Sequence, residues 1–173
     1  MEYVENKTFF HINSINSRNK RFLRVGDKLN IGENYNPYRE GYEYGFGLVT
    51  NDIQVLLGTI TLYWHFTIET IFEEERIKIN PELPSRMKSL WLSNESCIPY
   101  WQEKIIQGSQ DTQVIKLKVS GKILACDAHW VELQPTPLKK VRENARHYWN
   151  GIIKNKDKVE YLFEGSAEVI EIL

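Results

Sequence analysis

Val159-Glu160-Tyr161-Leu162-Phe163-Glu164-Gly165, near the end of the 173-residue chain, alternates in steps of two. Val159, Tyr161 and Phe163 share one side of an extended strand; Glu160, Leu162 and Glu164 share the other. A strand-like run also stands near the start, Phe9-Phe10-His11-Ile12-Asn13, within an aromatic and β-branched segment over residues 8–15. Each run sets one chemically useful side chain, His11 or Glu160, among apolar neighbours. Strands at both chain ends with helical patterns between them predict an α+β domain.

Working inward, residues 16–20 read as a polar loop and Phe22-Leu23-Arg24-Val25 as a second short strand before a turn at Gly26-Asp27. Residues 30–44, with Gly32, Pro37, Gly41 and several tyrosines, read as a long loop of the kind that serves as a lid. From Asp52 to Phe72 the apolar residues Ile53, Leu57, Ile60, Trp64, Ile68 and Ile71 recur at helical steps, with Asn51 or Asp52 as cap. Glu73-Glu74-Glu75 opposes the helix dipole, so the last turn is expected to fray or stop near Phe72.

Asn80-Pro81-Glu82-Leu83-Pro84 reads as rigid loop, and residues 89–92 as a short buried strand. A second helix carries Ile98, Trp101 and Ile105 and ends at Gly108, with Pro99 in its first turn. Residues 113–119 and 122–127 read as a hairpin about Ser120-Gly121. A third helix follows Pro135, capped by Thr136 with Pro137 at its first position, and buries Leu138, Val141, Ala145, Tyr148 or Trp149 and Ile152. Gly165-Ser166 reads as a turn before a last strand from Glu168.

Composition bounds the function. A chain of this length with 42% hydrophobic residues suits one domain, residues 1–173, with a core of its own. Twenty-two basic against twenty-three acidic residues exclude a global field for nucleic acid or an anionic membrane. Local basic clusters, Arg18 to Arg24 and Lys139 to His147, read first as solvated faces. Cys97 and Cys126 are too few for a disulfide scaffold and lack zinc-site spacing, so they are expected as reduced, partly buried thiols and no metal is expected. Met1-Glu2-Tyr3-Val4-Glu5 is not a secretory signal. Residues 40–75, which lack Lys and Arg, are interrupted by Asp52, Gln54, His65 and Glu69 and read as no membrane span. A cytoplasmic protein without a membrane partner is the expectation.

Taken alone, His11 reads first as a core histidine satisfied by a backbone carbonyl; its other reading is a hydroxyl-binding or proton-shuttling imidazole. Glu160 and Glu164 read either as charges protecting an edge strand or as a carboxylate that stabilises positive charge on a sugar. Trp91 and Trp101 form either the core or the walls of a slot for a planar heterocycle. Arg86, after rigid loop, suits a diphosphate or a carboxylate, or a surface salt bridge. No glycine-rich phosphate loop, nucleophile elbow or zinc helix is present.

In order along the chain, Phe10-His11, then Ser89-Leu90-Trp91-Leu92-Ser93 with Tyr100-Trp101, then Glu160 resemble the three motifs of the His-Tyr-Glu group of ADP-ribosyltransferases, which includes the poly-ADP-ribose polymerases. Blocks at His11, Gly26-Asp27, Asn80-Pro81, Pro84-Ser85-Arg86, Ala145-Arg146-His147-Tyr148-Trp149-Asn150-Gly151 and Glu160-Leu162-Gly165 resemble an uncharacterised bacterial domain-of-unknown-function family, number 2441, placed in that superfamily by resemblance. The resemblance implies split antiparallel sheets with flanking helices around an NAD cleft. It implies that His11 binds a ribose hydroxyl, that Trp91 with Trp101 or Tyr100 sandwiches the nicotinamide, and that Glu160 is the catalytic acid residue; Arg86 joins them as a cofactor-binding candidate on the strength of its fork of donors. Trp91 stands where the better-known enzymes have tyrosine.

The activity so implied is transfer of ADP-ribose from NAD to an unknown protein or nucleic-acid acceptor, or NAD hydrolysis, as in a toxin or a phage or defence modifier. Two alternatives accompany it: an inactive NAD or ADP-ribose binding module of the same fold, and an RNA 2′-phosphotransferase-like enzyme.

Overall fold

The computed structural model describes residues 1–15, 21–44, 51–106, 111–131 and 133–173. In chain order the elements are β1 (Glu2–Ile15), β2 (Lys28–Ile31), α1 (Pro37–Tyr44), α2 (Ile53–Ile79), β3 (Leu90–Leu92), α3 (Ile98–Ile106), β4 (Asp111–Asp127), α4 (Leu138–Trp149) and β5 (Val159–Ile172). The architecture is α+β, as expected: five antiparallel strands and four α-helices among the described residues. β4 lies between β1 and β5, and the far edge of β5 is shared by β3, at Tyr161 to Phe163, and β2, at Gly165 to Glu168.

Alternation along the two long strands separates two cores. Ile115, Leu117, Val119 and Ile123 of β4 join Phe163, Ala167 and Val169 of β5, with Phe9 and Leu92, on one face. Leu124, Cys126 and Leu162 join Ile68, Ile71 and Phe72 of α2 and Val141, Ala145, Tyr148 and Trp149 of α4 on the other. Glu160 alternates with Leu162, so it points into the helix layer.

Of the three glycines expected at turns, Gly26 lies in one, whereas Gly121 and Gly165 do not. β4 and β5 run unbroken through Gly121 and Gly165, which pair with each other. A Cβ on Gly121 would lie 2.2 Å from the Glu164 carbonyl oxygen, and one on Gly165 would lie 2.4 Å from that of Ser120. Two backbones in such contact require glycine, whose positive φ here (155° and 148°) is free of the usual steric cost. Gly165 also marks the point where the edge of β5 passes from β3 to β2.

Other expectations are corrected in detail. No strand forms at residues 22–25; the strand is β2, after the turn at Gly26. The long loop at residues 30–44 contains the end of β2 and the helix α1. α2 does not stop at Phe72. Glu73 pairs with Arg76, Glu74 with Arg142, and Glu75 with Lys78 and Arg146, so the acidic run is neutralised in place and the helix continues to Ile79. Asp52 caps α2, accepting from the amides of Gln54 and Val55.

α4 starts at Leu138 with Pro137 as N-cap and no side-chain cap, so Thr136 does not fill that role. Leu138 and Ile152 are exposed rather than buried. Both cysteines are free, and buried outright. The loop at residues 16–20, the basic residues Arg18 to Lys20 and the helix end at Gly108 lie outside the described residues.

Candidate functional site

Burying a carboxylate is costly unless it is bonded and paired. Glu160, with 8% of its side chain exposed, is both. Its Oε1 accepts from Arg86 Nη1 at 2.5 Å and from the Tyr148 hydroxyl at 2.6 Å; the same Arg86 nitrogen donates to the Tyr148 oxygen. The rest of the Arg86 fork holds Glu69 of α2, Nε to Oε2 at 2.8 Å and Nη2 to Oε1 at 2.9 Å. One guanidinium, from the loop before β3, thus bridges two carboxylates and a phenol drawn from α2, β5 and α4.

That loop is stapled on several sides. Arg76 donates to the carbonyls of Pro81 and Leu83 at 2.6 and 2.7 Å, Ser85 Oγ to Glu73, the Ser85 amide to Glu164 Oε1, and Asn36 Nδ2 to the Arg86 carbonyl. Glu164 shares the Glu160 side of the strand, but it supports the loop backbone and lies against Gly32. The two glutamates therefore hold consecutive residues, Ser85 by its backbone and Arg86 by its side chain.

Electrostatics follow from burial. Burial pushes the Tyr148 phenol well above its ordinary value, against the opposing Arg86 charge, so it stays a hydrogen-bond donor. Cys126, directly across the strand pair from Glu160, is pushed up by burial and by the Glu160 charge and is an unreactive thiol.

His11 occupies a break in the sheet. β1 and β3 meet at one bridge, Phe10 with Ser93, bonded in both directions at 3.0 and 2.7 Å. Continued, that register would pair Ile12 with Trp91. Instead the Trp91 carbonyl accepts from the His11 ring, Nδ1 to O at 2.9 Å, and the ladder opens. A carbonyl only accepts, so Nδ1 carries the proton and Nε2 is left with a free lone pair. Burial lowers the His11 pKa, against this hydrogen bond, and keeps the ring neutral.

Trp91 connects the two ends of the chain. Its backbone holds His11, while its ring lies with the Arg86 guanidinium carbon 5.6 Å from the ring centre. The Tyr38 ring of α1 meets it edge-on at 6.1 Å. The Trp91 indole N–H and the Ser89 hydroxyl are buried without partners among the described residues, the kind of orphan that a ligand or water satisfies.

Trp101 sits on α3, its indole N–H donating to the carbonyl of Val159, the residue before Glu160. Tyr100 packs edge-on against Trp101, and its pKa is raised by burial and, in part, by the Glu160 charge. The structure thus gathers Trp91, Trp101 and Tyr100 near Glu160. Each nitrogen of the Arg86 fork makes at least one bond within the protein, to Glu69, Glu160 or Tyr148.

Sequence reasoning gave no role to Glu69 and read Tyr148 only as core. A lone carboxylate in the apolar stretch of α2 signals a buried partner. Two surface cavities, of about 610 and 410 Å³, are lined by other residues, the second by Ser85, Glu73 and Glu164. No cluster of His, Cys, Asp and Glu among the described residues could hold a metal ion. The basic residues Arg142 and Arg146 are spent on Glu74 and Glu75.

Fold and site define an α+β protein with a buried cluster of carboxylate, guanidinium and phenol in its helix layer and a histidine bonded to the Trp91 carbonyl where β1 and β3 part. The chain belongs to the DUF2441 family, described as a protein of unknown function, whose model matches residues 4–173. No curated protein matches it.

Proposed function

We propose that this chain is an NAD-dependent ADP-ribosyltransferase or NAD glycohydrolase with His11 and Glu160 in its site. The observation that supports it is the placement of Trp91, whose carbonyl takes the His11 ring at the sheet opening and whose indole covers the arginine that clamps Glu160. A histidine and a glutamate from opposite ends of the chain are joined through one aromatic residue.

NAD brings its own cationic leaving group, so the protein has to hold the dinucleotide and stabilise charge rather than supply strong acid. Neutral His11 offers Nε2 as an acceptor for a ribose hydroxyl. Arg86 and Tyr148 fix one Glu160 oxygen and so aim the other, Oε2, which accepts nothing among the described residues. That oxygen places negative charge where positive charge grows on the ribose, and then orients the acceptor. Trp91, with its unpartnered N–H, and Trp101 or Tyr100 supply aromatic surface for the nicotinamide.

Nicotinamide release from NAD is the test, with wild-type protein and Glu160→Gln compared. The reading requires turnover in the first and none in the second, with the fold unchanged. Glu160 is held so firmly that a second reading has its own support, a module that binds NAD or ADP-ribose without turnover. Calorimetric binding of NAD with no nicotinamide released, even with acceptors supplied, would select it.

A further inference from the structure

The first three turns of α2 stand clear of both cores, since its buried residues begin only at Ile68. Ile53, Leu56, Leu57 and Ile60 are 60, 44, 51 and 57% exposed, and Tyr63 continues the row. Their spacing is 53, 56, 60, 63, with Leu57 alongside. That is an a/d seam of alternating three- and four-residue steps, isoleucine at a and leucine at the first d, the combination that favours two helices.

We infer that this stripe is a docking surface for the same stripe of a second copy of this chain, packed helix on helix about a two-fold axis. The stripe carries no charge, since no Asp, Glu, Lys or Arg falls between Asp52 and Glu69, so a copy meets itself without like-charge repulsion. The flanking hydroxyls of Thr59 and Thr61 donate to the carbonyls of Val55 and Leu57 in their own helix, so covering them strands no donor. Two stripes laid together remove on the order of 1,000 Å² from water, the lower limit for a specific interface.

A lipid surface fits less well. By length and composition α2 is long and apolar enough to cross a membrane. Its uncharged part ends at Ile68, though, and spans about 24 Å at 1.5 Å per residue against a hydrocarbon core of about 30 Å. It also lacks the basic face of a helix lying in the headgroup layer.

Sedimentation velocity over a roughly hundredfold range of protein concentration tests the inference. Wild-type mass should double as concentration rises. The double variant Leu57→Glu, Ile60→Glu should stay at monomer mass with an unchanged helical spectrum and melting curve, because both sites are exposed. Val55→Glu, on the opposite side of the helix, should still double. A wild-type monomer at every concentration overturns the inference, and so does doubling that survives the two glutamates. Monomer that pellets with anionic phosphatidylserine vesicles also overturns it, assigning the stripe to a lipid surface. None of these readouts depends on NAD.

Discussion

The Tyr148 hydroxyl and Arg86 meet on one oxygen of Glu160: the phenol donates to Oε1 at 2.6 Å while accepting from the guanidinium nitrogen that binds the same oxygen. A carboxylate held on one oxygen by two donors is fixed in rotation, which gives its other oxygen a defined direction. The arrangement makes the pair a structural element of the core as well as the support of the proposed site.

Arg86→Met should be strongly destabilising. It leaves Glu69 and Glu160 buried without their counter-charge, and breaking a buried ion pair by removing one partner costs about 3–5 kcal/mol. Denaturant unfolding of the variant checks this; a loss below about 1 kcal/mol would show that the cluster carries little of the fold's stability.

Tyr148→Phe keeps the ring and removes the bridge. The expected loss is about 1–3 kcal/mol, the cost of a buried acceptor deprived of a donor. If Tyr148 positions Glu160, kcat for nicotinamide release should fall with KM for NAD little changed. An equal fall in stability with kcat intact would confine Tyr148 to packing.

His11 sets an acid limit. Its folded pKa is depressed by burial below the ordinary histidine value of about 6.5. Below that value the unfolded chain takes up a proton that the folded one resists, so the stability present above it is lost as pH falls toward the depressed value. Wild type should therefore lose stability relative to His11→Gln between neutral pH and pH 5. Parallel stability curves for the two proteins would contradict the neutral, Trp91-bonded ring.

Gly121→Ala and Gly165→Ala should each prevent normal pairing of β4 with β5, since the added methyl falls within 2.4 Å of a carbonyl oxygen of the facing strand. Backbone strain of this kind costs about 1–3 kcal/mol before the clash is counted. Loss of soluble, cooperatively melting protein is the expected result; wild-type melting would mean the strands are not in this register.

Much of this was legible in sequence because it rests on local periodicity. The alternation of Val159 to Glu164 placed Glu160 with Leu162, and the helical steps from Ile53 to Ile71 located α2. Glycine misled at Ser120-Gly121 and Gly165-Ser166, since a turn and a close approach of two strands demand the same residue. The end of α2 was missed because Glu75 is stabilised by Arg146, some seventy residues away. The partners of Arg86 were not legible for the same reason: only the fold brings Glu69, Tyr148 and Glu160 to its fork.

Nicotinamide release from NAD by wild-type protein and by Glu160→Gln bears most directly on the central proposal. Glutamine keeps the shape and the oxygen that accepts from Arg86 and Tyr148, and it removes the charge. Turnover by wild type, abolished in a variant that is folded and still binds NAD, is the expected result; release at the wild-type rate from Glu160→Gln would contradict the assignment of Glu160 to catalysis.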